Sequence, residues 1–216
     1  MPETEGAGSA HPTTLTEEFG HIDIYLFDQL LKGRITPSMT VLDAGCGNGR
    51  NLVHFLKQNF TVFGVDSSAR AVAETYKLSQ RLAPAITPPD RFRVERIEAL
   101  SFEDSTFDVI ICSAVLHFAN SPLHFDRMLA ELWRVLAPGG LLFTRLASSI
   151  GLESQITPLA DGRYRLPDGS DRYLVDEPTL LKATARLEGK LADPIKTTNV
   201  QGQRCMTTWS LWKQEA

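Results

Sequence analysis

The chain has 216 residues, with 22 Lys and Arg against 26 Asp and Glu, for a formal charge of -4. Its content of 43% hydrophobic and 22% charged residues suits a globular chain that can bury one sizeable core. The mild acidity, without any Lys/Arg run, argues against a general nucleic-acid binder and against a membrane-surface binder. No apolar stretch approaches the length of a membrane span, and the polar opening MPETEGAGSAHPTTLTEE lacks the pattern of a secretory signal. Cys46, Cys112 and Cys205 are odd in number and far apart, which suits neither a disulfide framework nor a metal site. The expectation is a cytoplasmic protein that uses no metal and works as a monomer or homodimer.

Residues 1–14 are small and polar, with Pro2 and Pro12, and read as a disordered tail. Leu15, Phe19, Ile22, Leu26 and Leu30 recur at helical spacing and predict one helix over 15–33, stopped at Gly33. From Val41 onward, strands and helices alternate. TVLDA is a strand, NLVHFLKQN a helix, TVFGVD a second strand, and SARAVAETYKLSQRLA a helix ended by Pro84. RFRVER is a third strand, and TFDVIICSAVLHF contains a fourth. The helix HFDRMLAELWRVLA is stopped by Pro138-Gly139-Gly140, and GLLFTRLA is a fifth strand.

This alternation predicts an α/β fold, a doubly wound and mostly parallel sheet of seven strands in the Rossmann manner. Residues 148–175 are too many for a plain connection. Within them, Tyr164-Arg165-Leu166 and Arg172-Tyr173-Leu174 flank Pro167-Asp168-Gly169-Ser170, which predicts a small hairpin. DEPTLLKATARLEG then reads as a helix with Asp176 or Glu177 near its start. The last two strands, joined at Gln201-Gly202-Gln203, must form an antiparallel edge. The whole is expected to be a single domain over 15–216, with the helix of 15–37 and the insertion of 148–175 lying over the active site.

The strongest chemical signal is Val41-Leu42-Asp43-Ala44-Gly45-Cys46-Gly47-Asn48-Gly49-Arg50, a strand running into a glycine turn. Glycine lets the backbone turn sharply and lets a ligand lie against it. A helix beginning near Asn48 or Arg50 would offer unpaired N–H groups to a carboxylate or phosphate. The dinucleotide fingerprint G-x-G-x-x-G would need glycine at position 50, which is Arg. Asp43 would repel a pyrophosphate and welcome an ammonium group. Asp66, at the end of the second strand, is placed to accept hydrogen bonds from ribose hydroxyls. An amino acid joined to a nucleoside satisfies both acids, and S-adenosylmethionine has that shape.

On these residues the chain resembles the class I S-adenosylmethionine-dependent methyltransferases. VLDAGCGNGR resembles their first motif and FGVDSS the second. LSFEDSTFDVIICSAVLHF and LAELWRVLAPGGLLF resemble the segments around the fourth and fifth strands, so that the likeness covers about residues 38–147. The resemblance implies that Asp43 and the turn of Gly45, Cys46, Gly47, Asn48 and Gly49, continued by Arg50, hold the methionyl part. It implies that Asp66 takes the ribose, that Ser67 lies beside the adenine, and that Ile97 and Glu98 flank the adenine edge. Cys112 and Ser113 would bring backbone near the methionyl amine, with Leu116 and His117 at the mouth. Where the family often has Asp to bond the adenine amino group, this chain has Arg96.

Three side chains are candidates for the chemistry. His117 follows a buried strand and has a side chain whose ordinary pKa suits a general base, with His21 the second choice. Arg145, at the end of the fifth strand, would orient an anionic acceptor. The expected reaction is in-line methyl transfer to an oxygen, nitrogen, sulfur or chalcogen atom of a small molecule, leaving S-adenosylhomocysteine. Resemblance to the tellurite-resistance and thiopurine methyltransferases, which are also compact, admits a chalcogen, a thiol or a similar small acceptor, and the acceptor atom stays open. Two alternatives stand beside this reading. One is a regulatory protein that binds the cofactor without catalysis. The other is a methyltransferase of nucleic acid or protein, against which the fourth strand ends in Cys-Ser-Ala-Val-Leu-His, not in Asn/Asp-Pro-Pro-Tyr/Phe.

Overall fold

A computed structural model describes residues 14–85 and 88–215, so the expected tail lies, but for Thr14, outside the described residues. Where one helix was expected over 15–33 there are two, α1 (Leu15–Phe19) and α2 (Ile24–Leu31). Thr14 and Glu17 close a reciprocal cap at the start of α1. The chain then turns at Gly20 with φ 62°, where a Cβ would lie 2.7 Å from Val53 Cγ2. Asp23 begins α2 by accepting the Tyr25 N–H at 3.0 Å. The apolar spacing runs through the break, but cap chemistry decides where the helices start.

The central elements follow in order: β1 (Thr40–Ala44), α3 (Val53–Lys57), β2 (Thr61–Asp66), α4 (Ala69–Leu82), β3 (Phe92–Val94), β4 (Phe107–Ser113), α5 (Pro122–Val135) and β5 (Leu136–Ser148). The insertion holds β6 (Thr157–Pro158), β7 (Arg163–Arg165) and β8 (Asp171–Tyr173). The chain ends with α6 (Glu177–Arg186), β9 (Gly189–Leu191), β10 (Lys196–Val200) and β11 (Arg204–Lys213). Across the main sheet the order is β10-β11-β5-β4-β1-β2-β3, with β9 also paired to β11. Strands β1 to β5 are parallel, and β9, β10 and β11 pair antiparallel. The hairpin expected at Gln201-Gly202 is present, with both residues at positive φ. The hairpin expected in the insertion is β7–β8, and β6 adds a third strand to it.

Register explains why the strands are apolar on both faces. Val41 pairs with Val109 and Val109 with Leu141, while Leu42 pairs with Ile110 and Ile110 with Leu142. The first set packs under α2, α3 and α4, and the second under α5 and α6. At the centre of the sheet β1 and β4 are neighbours, and their carboxyl ends carry Asp43 and Ser113. That is where ligands settle in open parallel sheets. Among the described residues no helix is long and apolar enough to cross a membrane.

Candidate active site

The glycine turn is pulled against β2 by two bonds, with the Gly45 and Cys46 N–H groups donating to Val65 O at 2.8 and 2.9 Å. A Cβ on Gly45 would lie 2.3 Å from Val115 Cγ2, at φ 86°, so no other residue fits there. Nothing lies within 4 Å of a Cβ on Gly47, where the backbone borders a cavity. Asp66 accepts the Gly47 N–H through Oδ2 at 3.0 Å and the Ser68 N–H through Oδ1 at 2.9 Å. Its carboxylate therefore pins the turn as well as facing the cavity. The helix expected at Asn48 or Arg50 begins only at Val53 and has a single turn, because Gly47 and Gly49 keep the chain in turns.

Asp43 is 1% exposed, and its Oδ1 is buried without a hydrogen-bond partner. Burial pushes its pKa up to about 7, with Arg50 pulling the other way and Asp66 adding to the rise. A buried acceptor left open in this way calls for a donor that the protein itself does not supply.

A cavity of about 420 Å³ lies in front of the turn. Of the residues expected around a cofactor, Gly45, Gly47, Asp66, Ser67, Ile97, Glu98 and Ser113 line it. Asp43, Cys46, Asn48, Gly49, Arg50 and Cys112 do not. Asp43 is buried near the end of β1, just before Ala44 and Gly45, and Arg50 lines a second cavity. Cys46 and Cys112 are buried among apolar groups, and burial pushes the Cys46 thiol up to about 12 and Cys112 upward too. Asn48 is exposed, and Gly49 packs against Leu78. At the far end, Glu98 accepts from Arg96 Nε at 2.6 Å and lies 3.2 Å from His124 Nε2. Burial opposes the charge on Glu98, but Arg96, its own backbone and His124 outweigh that and hold its pKa below the usual range. A carboxylate thus does stand near the expected adenine edge, at 98 instead of in the family's usual place. Val115, Phe118 and Met128 also line this cavity. The sequence offered no signal for them, because apolar residues after a buried strand read as core.

A second cavity of about 330 Å³ shares Ser113, Ala114 and Phe118 with the first. Ala114 has φ 64°, and its N–H donates to Arg145 O at 2.6 Å, so this junction holds a strained backbone. Arg145 lines the second cavity, as expected of a residue at this end of β5, and its Nη1 donates to Asp23 Oδ2 at 2.9 Å. Asp23 is fully buried and also accepts from Ser113 Oγ at 3.3 Å, while its backbone N–H donates to Asn51 Oδ1 at 3.0 Å. Arg50 donates to the same Ser113 hydroxyl at 3.2 Å. Asp23→Ala should cost about 3–5 kcal/mol by stranding the Arg145 charge and removing a helix cap, read as a melting-temperature drop of roughly 10 °C. A drop below about 3 °C would show the pair to be dispensable.

His117 does line this second cavity, but not as a free base. Its Nδ1 accepts the Ala147 N–H at 3.1 Å, which leaves the ring proton on Nε2. Burial lowers its pKa to about 4, helped by the charges of Arg172 and Arg204. A neutral imidazole held this way offers a donor and no spare lone pair, the reverse of what a general base needs. His21 is exposed in the turn between α1 and α2 and lines neither cavity. The arrangement gives no support to a base at either position: a backbone N–H occupies His117 Nδ1, and His21 lines neither cavity.

A family model described as a methyltransferase domain matches residues 42–144. The chain is 35% identical over 113 residues to the 2-methyl-6-phytyl-1,4-hydroquinone methyltransferase of Synechocystis, across 50% of this chain and 32% of that one. It is 34% identical over 128 residues to the thiol S-methyltransferase of Mus musculus, across 55% of this chain and 47% of the relative. The chain thus spans less than half the length of these curated relatives. In fold it superposes on the Burkholderia thailandensis 1,6-didemethyltoxoflavin-N1-methyltransferase, solved with 1,6-didemethyltoxoflavin and S-adenosylhomocysteine bound. The TM-score is 0.68 at 20% identity, covering 92% of this chain and 80% of that chain. At that identity the likeness is one of fold. Family model, relatives and fold agree with the resemblance carried by residues 41–50, and over residues 42–144 the chain is similar to methyltransferases.

Proposed function

We propose that this chain binds S-adenosylmethionine in the first cavity and transfers its methyl group to a small molecule in the second. The observation that carries the reading is the open buried oxygen of Asp43 beside a backbone turn that only glycine permits. An ammonium group would satisfy that oxygen from behind the glycine turn, and Asp66, Ser67 and Glu98 line the adjoining cavity, which is able to hold a nucleoside. When bound, the cofactor supplies an activated methyl group on a sulfonium, so the protein needs no covalent intermediate of its own.

What the chain contributes is position and dryness. Ser113, Ala114 and Phe118 border both cavities, which sets donor and acceptor on either side of one short wall. Asp23 at the start of α2 and Leu166, Asp168, Ser170 and Arg172 from the insertion line the acceptor side, where they limit access of water. Two of the matched relatives are named for a hydroquinone and for a thiol.

The test is calorimetry with S-adenosylhomocysteine, followed by incubation with methyl-labelled S-adenosylmethionine and small acceptors. Saturable one-to-one binding and label transfer are expected. Binding without transfer to any acceptor would favour the regulatory alternative, and absence of binding would overturn the cofactor assignment.

A further inference from the structure

The second cavity carries a charge pattern at odds with the rest of the chain. In a protein with an excess of acids, its wall brings together the guanidinium groups of Arg50, Arg145, Arg172 and Arg204 against the carboxylates of Asp23 and Asp168. Both carboxylates are committed. Asp23 is held by Arg145, Ser113 and the Tyr25 N–H. Asp168 Oδ1 accepts the Ser170 N–H and hydroxyl at 2.9 and 2.5 Å, and its Oδ2 lies 3.9 Å from Arg204 Nη1.

The arginines keep donors in reserve. Arg145 Nε is buried without a partner, and its guanidinium lies 5.5 Å from the Tyr25 ring centroid. Arg172 gives Nη1 to Asp171 O at 2.8 Å and lies 4.9 Å from the centroid of Phe118, the residue that borders both cavities. Each guanidinium has five N–H donors, so most remain open to a ligand. The same wall holds no ready proton acceptor among the described residues, since His117 Nδ1 is taken by the Ala147 N–H and both acids are paired. A cationic wall without a base suits an acceptor that is already an anion at neutral pH.

Resting on the methyl-transfer reading, we propose that the acceptor is a small carboxylic acid, held as its carboxylate by Arg145, Arg172 and Arg204 and methylated on oxygen to an ester. Carboxylates ionise near pH 4 and need no deprotonation, and arginine matches their two oxygens in a fork. A carboxylate lone pair forms the O–CH3 bond while the CH3–S bond breaks and its electron pair returns to sulfur. The negative charge of the carboxylate and the positive charge of the sulfonium cancel. The products are a neutral ester and a thioether, and no proton is released. Transfer to an alcohol, thiol or amine would release one proton for each methyl group moved.

The experiment uses the full chain, methyl-labelled S-adenosylmethionine, and matched probes: benzoate, phenylacetate, butyrate and succinate against benzyl alcohol, benzyl mercaptan and benzylamine. Label transfer to carboxylates alone is expected, in a product from which alkali frees labelled methanol, with no proton released per S-adenosylhomocysteine formed. Arg172→Gln and Arg204→Gln should each raise the KM for the carboxylate at least about tenfold, with S-adenosylhomocysteine affinity by calorimetry and the melting temperature held. Transfer to the alcohol, thiol or amine with one proton released would overturn the proposal. So would failure of every carboxylate to accept label while S-adenosylhomocysteine still binds. Loss of S-adenosylhomocysteine binding by the unmodified chain would instead sink the cofactor assignment and the carboxylate proposal with it.

Discussion

Replacing Asp66 with Ala should weaken S-adenosylhomocysteine binding at least about a hundredfold, since each hydrogen bond to a charged group is worth roughly 1.5–3 kcal/mol. The carboxylate stands at the end of β2 and has two duties. It accepts the Gly47 and Ser68 N–H groups, which fix the turn, and it faces the cavity, where the ribose hydroxyls are expected. The substitution removes both at once. Asp66→Asn keeps one acceptor oxygen and should fall between the two. Because the two turn hydrogen bonds are lost as well, the melting temperature of Asp66→Ala should also fall by several degrees, which calorimetry separates from the loss of affinity. Calorimetry on the two variants decides the matter, and unchanged affinity in Asp66→Ala would remove the ribose assignment.

The second large effect is a pH dependence set by Asp43. Its carboxyl is raised from 3.8 to about 7 by burial, and an ammonium partner favours its ionised form. Below pH 7 the site must shed a proton before the cofactor binds, so affinity should fall by roughly tenfold or more between about pH 7 and about pH 5.5. Stability without cofactor runs the other way. The folded protein keeps on Asp43 a proton that the unfolded chain has already lost above about pH 4, so stability declines as pH rises from about 4 through about 7. Asp43→Asn cannot ionise and should flatten both curves. Titrations of the two proteins with S-adenosylhomocysteine across this range check the effect. A slope that survives in Asp43→Asn would assign it to another group.

The parallel sheet was legible because β1, β2, β4 and β5 each carry an apolar run, and the antiparallel edge because Gln201-Gly202 marks the turn into β11. Part of the lining of the first cavity was legible for a related reason. Gly45, Gly47 and Asp66 lie in two consecutive β-to-turn segments, so spacing along the chain stands in for distance in space. Three features were not legible. The break at Gly20 depends on contact with Val53 across the molecule. The direction of His117 depends on a single backbone N–H from β5. The arginine wall joins residues 50, 145, 172 and 204, which no local pattern links. The sequence flagged Arg145 from its place at a strand end and set Arg50 with the methionyl part instead. The structure shows Asp168 turned toward Ser170 and Arg172 turned toward Phe118.

The two cavities draw on different portions of the chain. The lining of the first lies wholly within residues 45–128, inside the stretch that matches the family model. The second also takes Asp23 from before that stretch, and Leu166, Asp168, Ser170, Arg172, Val200, Arg204 and Met206 from after it. Inheritance can therefore act on the two halves separately. On the proposed reading, a lineage could keep its methyl donor unaltered while drift in the flanking segments exchanged one acceptor for another, and a descendant with a new substrate would still carry the same VLDAGCGNG signature.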